Sequence, residues 1–299
     1  MNKKLILAHL AVFTVNLIYA LNFTIAKSVM PEYIQPFPFI LLRVSGALIL
    51  FTFLNRFIVR QKINLKDWGR MALCGLLGVS ANQLLFFEGL SYTTPINASV
   101  MMTSAPIMVF LGAVLLKQEV LSKKRFIGVL LGAIGALTII LSKENGINAP
   151  NPSLGNVLVF INAAFYSAYL ILVKPLMKKY NPIQVLANCF LIGFLFTLPF
   201  SASDAMDIDV SALPKTALWA IAFVVICATC MTYLFNIYGL QNLRSSTVGF
   251  YIFLQPLLAT AFAIFNGVDE LTPIKMLAGG LVFVGVYLVS FTKVRVKPE

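Results

Sequence analysis

Apolar residues run along this chain in ten blocks, about 5–28, 36–58, 69–91, 95–117, 124–141, 153–176, 183–203, 214–239, 246–266 and 273–292, with short polar stretches between them. Most blocks hold about 20 residues, the length of helix that crosses ~30 Å of hydrocarbon. A bilayer core offers no water to free backbone groups, so each block is predicted to be an α-helix. The ~10-residue alternating segments of a membrane β-barrel do not occur. Prolines stand at or near the start of several blocks (Pro36, Pro95, Pro182, Pro214, Pro273), where the first helical N–H has no partner to lose.

Composition strengthens this reading. Of 299 residues 59% are hydrophobic and 11% charged, and the mean hydropathy is +0.88; a soluble domain carries roughly 25% charged residues. The net charge of +12 is no nucleic-acid signal, because the basic residues sit in the connections. One set of block ends holds Lys3, Lys4, Arg56, Arg60, Lys62, Lys66, Arg70, Lys117, Lys123, Lys124, Arg125, Lys174, Lys178, Lys179, Arg244, Lys293, Arg295 and Lys297. The other holds Lys27, Lys143, Lys215 and Lys275, with Arg43 inside a block. By the positive-inside rule the first set, and with it both termini, is expected in the cytoplasm. Lys3 and Lys4 precede an apolar run as in a signal peptide, but the run continues to about Ser28 without a small-residue cleavage site, so it is expected to be a retained first span. Cys74, Cys189, Cys227 and Cys230 all fall inside blocks, and Cys227-Ala-Thr-Cys230 lacks the βαβ setting of a redox motif.

The chain repeats itself. Asn16–Lys27 reappears 147 residues later as Ala163–Lys174, with Tyr19 on Tyr166 and Lys27 on Lys174; Tyr33 falls on Tyr180. Gly89-Leu90 and Pro106 recur 150 later as Gly239-Leu240 and Pro256, and Glu119 and Gly128 recur 151 later as Glu270 and Gly279. The expected domains are therefore residues 1–148 and 149–299, each with five spans. Five is odd, so the second copy enters the membrane inverted. The loop charges agree: the basic 60–70 stretch corresponds to Ser201–Lys215 with Asp204, Asp207 and Asp209, and the basic 117–125 stretch to one with Asp269 and Glu270. Inverted repeats are the architecture of secondary transporters, which hold substrate near the midplane between the halves.

On a helical wheel Asn16, Tyr19, Asn22, His9 and Lys27 share one arc of the first span, and Asn156, Asn162, Tyr166, Tyr169 and Lys174 share the equivalent arc of the sixth. The eighth span offers Thr229, Thr232, Tyr233 and Asn236, the ninth Tyr251 and Gln255, and the fourth Asn97, Met101 and Ser104. Polar residues at membrane depth avoid lipid, so these either line a wet cavity or hydrogen-bond between helices. Lys27, Arg43 and Glu88 lie near the outer ends of their spans as candidates for gating. An Arg43–Glu88 pair is expected, either structural or orienting a zwitterionic solute; snorkelling is the other reading of Lys27 and Glu88. His9, the single histidine, has the chemistry for proton coupling or for an interfacial hydrogen bond. Gly128, Gly132, Gly135, Gly279, Gly280 and Gly285 read as close packing of the fifth and tenth spans, or as a homodimer contact. No nucleophile–base set, metal cluster, carboxylate dyad or Walker motif emerges, so neither an enzyme nor a cofactor or metal is expected.

These residues resemble the EamA-like branch of the drug/metabolite transporter superfamily. Its first-helix pattern, roughly Trp-Gly-x-Asn-Phe-x-x-x-Lys, is matched by Tyr19-Ala20-Leu21-Asn22-Phe23 with Lys27, and Arg43 matches its second-helix arginine. Pro106, Glu119, Gly128 and Gly135 match the fourth and fifth helices, and Tyr166, Lys174, Pro256, Glu270, Gly279 and Gly285 the second half. The aromatic is Tyr in both copies, with Ala20 and Ser167 where the family often has Gly. The resemblance, over about 16–141 and 163–292, implies an all-α membrane protein of ten transmembrane helices with helices 1, 3, 4, 6, 8 and 9 around the pathway. It also implies a secondary transporter that is not ATP-driven, exporting amino acids or related metabolites by alternating access from a bacterial inner membrane. A lipid-handling flippase or a nucleotide-sugar-type exchanger of the same superfamily is the alternative, and a membrane scaffold the reading without an aqueous substrate.

Overall fold

The computed structural model describes residues 3–30, 32–57, 61–93, 98, 101–102, 104–116, 122–141, 150–206, 213–265 and 273–291, and these are helical apart from their connections. In chain order the helices are α1 (Lys3–Lys27), α2 (Pro36–Arg56), α3 (Leu65–Tyr92), α4 (Ala105–Leu115), α5 (Lys123–Leu141), α6 (Pro152–Lys179), α7 (Pro182–Met206), α8 (Lys215–Asn242), α9 (residues 245–265) and α10 (Pro273–Phe291). Six of them, α1, α2, α3, α6, α7 and α8, are long and apolar enough to cross a membrane.

Local chemistry sets several of the boundaries. Asn64 accepts a hydrogen bond from Lys66 N at the start of α3, and Asn151 accepts one from Leu154 N at the start of α6, ahead of Pro152. Both satisfy N–H groups that the first helical turn leaves free. Pro36 opens α2 in the same permissive position. Two helices depart from α geometry in midcourse: α3 forms a π turn over Leu76–Ser80 and α8 another over Ile226–Met231. The central residues Gly78 and Ala228 are 150 positions apart, the offset that also relates Gly89 to Gly239.

The helices pack in pairs. α5 lies along α10, α2 along α7, α3 along α6 and α1 along α8, while α4 touches α6 and α9, and α1 touches α9. Adding five to each helix number, counting past ten back to one, maps this set of contacts onto itself. Two of the pairs approach until backbones meet. A Cβ on Gly89 would stand 2.9 Å from Gly155 O, and one on Gly128 would stand 2.9 Å from Gly285 O. Small residues of this kind let helices associate by van der Waals contact where lipid removes the hydrophobic drive. The outward faces carry Ile49, Phe53, Leu115, Trp219, Phe283 and Tyr287, each more than half exposed. Such a belt would be an aggregation hazard in water, and it suits hydrocarbon.

At one end the α2–α3 and α6–α7 connections are clasped together. Gln184 donates through Nε2 to Gln61 O at 2.8 Å and accepts from Gln61 N at 3.0 Å, and Gln61 Oε1 accepts from Asn181 N at 3.0 Å. Beside them Asp67 takes the Tyr180 hydroxyl at 2.6 Å and the Lys179 ammonium, and Tyr180 in turn accepts from Asn64 N.

The α5–α10 contact gives a direct test. In Gly285→Ala the new methyl would lie 2.6 Å from Gly128 O, whereas at Gly280 nothing stands within 4 Å. Gly285→Ala is expected to cost about 1–3 kcal/mol, read as a lower midpoint of thermal unfolding in detergent. Gly280→Ala, inside the same helix with room for the methyl, should leave the midpoint unchanged or raise it slightly.

Candidate functional site

A cavity of about 70 Å³ lies inside the bundle, well above the ~10–15 Å³ that one water requires. α1 contributes Tyr19, Asn22 and Phe23 to its wall, α2 Arg43, and α3 Asn82, Gln83, Phe86 and Phe87. Met102 stands just before α4; α6 adds Asn162 and Tyr166, α8 Ala228 and Tyr233, and α9 Gln255. Tyr19 and Tyr166 are repeat equivalents, as are Gln83 and Tyr233 at the offset of 150, so both halves of the chain wall the cavity with matching positions.

The two π turns border this space and explain part of its polarity. A π turn breaks the regular i→i−4 ladder and releases carbonyls to outside donors. The Tyr233 hydroxyl donates to Gly78 O in the α3 turn, and Arg43 Nη2 donates to Ala228 O in the α8 turn at 3.3 Å. The ring of Tyr169 lies where a Cβ on Gly78 would be, so the turn in α3 requires glycine. Arg43 also donates from Nε to Thr229 Oγ1 at 2.9 Å, and its guanidinium sits 4.3 Å from the ring centre of Phe87.

The predicted residues separate into distinct groups. Tyr19, Asn22, Asn162, Tyr166, Tyr233, Gln255 and Arg43 line the cavity. Thr232 and Asn236 stand just behind it, close to Tyr19, and Asn236 donates to the Tyr166 hydroxyl at 3.3 Å. Asn16 binds Gln255 Nε2 at 2.9 Å and its own helix at Val12 O, tying α1 to α9. Tyr169 is buried between Tyr166 and Tyr233. Ser104 bonds locally to Met101 O, and Asn97 lies outside the described residues. His9 and Tyr251 meet each other, Nδ1 to hydroxyl at 2.6 Å, away from the cavity wall.

The expected Arg43–Glu88 pair does not form. Arg43 is turned toward Thr229, Ala228 and Phe87, and Glu88 faces Tyr92 on its own helix. α2 presents Arg43 to the opened turn of α8, and the ring of Phe87, one residue before Glu88, covers the guanidinium. Lys27 caps a helix: its ammonium donates to Leu90 O, Ser91 O and Thr93 O at 2.8, 3.0 and 3.1 Å. Lys174 does the same for α8 through Leu243 O at 2.8 Å. Terminal carbonyls without helical partners and the negative end of the dipole both favour a cation there.

Asn82, Gln83, Phe86, Phe87, Met102 and Ala228 line the cavity without having been singled out from the sequence, and Phe23 was noted only within the first-helix pattern. Asn82-Gln83 carried a readable signal, two amides in the middle of the third apolar block. The apolar ones did not, in a chain with 25 Phe.

A bundle of apolar helices around a polar, aromatic cavity defines a multi-pass membrane protein with an internal cavity. The EamA-like transporter family model matches residues 6–141 and 153–291, and the chain belongs to that family, within the drug/metabolite transporter superfamily. An uncharacterized transporter of Archaeoglobus fulgidus is 27% identical over 294 residues, 97% of this chain and 98% of the relative. A WAT1-related protein of Arabidopsis thaliana is 26% identical over 306 residues, 92% of this chain and 80% of that one. One crystal structure superposes with a TM-score of 0.72 at 20% identity, covering 94% of this chain and 95% of its own, which shows a shared fold.

The capping role of Lys27 has a measurable consequence. Lys27→Met strips three carbonyls of their donor and is expected to cost about 1–3 kcal/mol, seen as a lower unfolding midpoint with solute affinity unchanged. A changed affinity at an unchanged midpoint would contradict it and return Lys27 to a gating role.

Proposed function

We propose that this protein is a secondary transporter that moves small organic metabolites, amino acids or close relatives, by alternating access, and that it works as an exporter. In this reading ten helices cross a bacterial inner membrane as two inverted five-helix repeats, residues 1–148 and 149–299, with both termini in the cytoplasm. The observation that carries the reading is the polar and aromatic cavity walled at equivalent positions by both halves. Two similar halves of opposite orientation give inward-open and outward-open states of comparable energy, and a site at their junction faces each side in turn. The matched π turns support the reading, since breaks in helices at membrane depth supply the polar backbone that solute sites in transporters use. The clasp of Gln61, Gln184, Asp67 and Tyr180 lies on the basic, cytoplasmic end and acts as the inner closure.

The test is flux. Purified protein in proteoliposomes, offered labelled amino acids and related metabolites with and without a pH gradient, is expected to accumulate one class of solute. Collapse of accumulation with the gradient would assign proton coupling, with His9→Ala and Glu88→Gln as the first variants. Equilibration without accumulation would make the protein a facilitator or exchanger. No flux of any solute, with scrambling of labelled lipid in the same vesicles, would replace the proposal with the lipid-handling alternative.

A further inference from the structure

Resting on that reading, the chemistry of the cavity identifies what the solute must carry. Arg43 is 4% exposed in the apolar interior of α2, and an ionised side chain at such depth costs several kcal/mol unless it is compensated. Its partners are all neutral: a hydroxyl, a carbonyl and an aromatic face. Among the described residues no carboxylate meets it, and its Nη1 has no hydrogen-bond partner. A guanidinium has five N–H donors in a fixed fork. Here Thr229 and Ala228 hold Nε and Nη2 and the ring of Phe87 covers the group, which leaves Nη1 unspent.

The rest of the polar wall is neutral. Asn162 donates through Nδ2 to Asn82 O at 2.7 Å, which leaves its Oδ1 as the free end, and that oxygen has no partner. Asn22 Oδ1 is likewise unpartnered, and the Gln83 amide, beside the Tyr233 hydroxyl, completes no hydrogen bond of good geometry. Buried polar atoms of native proteins are nearly all paired, and five of the exceptions here, on Asn22, Arg43, Gln83 and Asn162, belong to residues that line one cavity. The wall thus offers a single positive charge and neutral amides.

We infer that Arg43 is the anchor for a carboxylate on the transported solute, and that the site takes small monocarboxylates bearing a hydrogen-bond donor beside the acid, as in α-amino and α-hydroxy acids. One negative charge neutralises the one cation that lines the cavity. A phosphate ester, at about −1.5 to −2, would leave net negative charge buried. The neighbouring donor group, amine or hydroxyl, satisfies Asn22 Oδ1 and Asn162 Oδ1. A simple amine or polyol gives Arg43 no anion and is excluded.

Equilibrium binding to the full-length protein in nanodiscs tests this, with the protein amino acids and lactate as probes beside their carboxamides, leucinamide and lactamide among them. Wild-type protein is expected to bind at least one acid about 10- to 100-fold more tightly than its amide. Arg43→Gln should abolish that preference, and Arg43→Lys, which keeps the charge but loses the planar fork, should retain part of it. Equal affinity for acid and amide in the wild type, or binding of neutral solutes and no acid, overturns the inference whether or not the variants fold. So does a folded Arg43→Gln protein that still prefers acids, or failure of every acid to bind. Acid binding without flux in proteoliposomes would overturn the transport reading and leave the anchor standing. Flux of neutral solutes with no preference for acids would do the reverse.

Discussion

In hydrocarbon a carbonyl released from its helix must find a donor within the protein, because no water reaches it. Much of this bundle is arranged around that requirement. The open ends of α3 and α8 take the ammonium groups of Lys27 and Lys174, and the π turns inside the same two helices take Tyr233 and Arg43. Four polar side chains that would be costly against lipid thus become the means of breaking and ending helices inside the membrane. Beside these assignments, Arg43 Nη1, Asn22 Oδ1, Asn162 Oδ1 and the Gln83 amide are left without a partner, and their residues line the central cavity.

This separation changes how charge inside the protein is understood. A cation that caps a helix is compensated by the carbonyls it meets, whereas Arg43 keeps an edge of its guanidinium in reserve and meets no acid among the described residues. The asymmetry between the halves has the same logic. The position equivalent to Arg43 is Phe190, which meets Tyr233 edge to face with ring centres 4.8 Å apart. The duplicated scaffold thus supplies two π turns, while only one half supplies a charge to the cavity wall.

Much of the fold was legible in the pattern of apolar blocks, because hydrocarbon thickness fixes helix length and the repeat spacing fixes the pairing of equivalent segments. α3 still begins at Leu65, four residues before its apolar block, since the Asn64 cap and the clasp at Asp67 extend a helix beyond the bilayer core. The π turns were illegible: Gly78 and Ala228 look like ordinary small residues until the ring of Tyr169 is seen against one and Arg43 against the other. Tyr19, Asn22, Asn162 and Tyr166 could be picked out because polar groups at membrane depth must face inward. The partner of Arg43 could not be, since sequence places Glu88 at a similar depth but does not give the rotation of α2. Lys27 shared the wheel position of the cavity residues, yet its long stem carries the ammonium to the end of α3.

The central claim, that the cavity between the halves is a pathway reached from each side in turn, is tested most directly by accessibility. Asn22→Cys and Tyr233→Cys, each in a background with Cys74, Cys189, Cys227 and Cys230 replaced, would be exposed to a membrane-impermeant thiol reagent in right-side-out and inside-out vesicles. The account predicts labelling from both sides. Persistent protection from both sides, in folded protein, would contradict it and leave the cavity as packing.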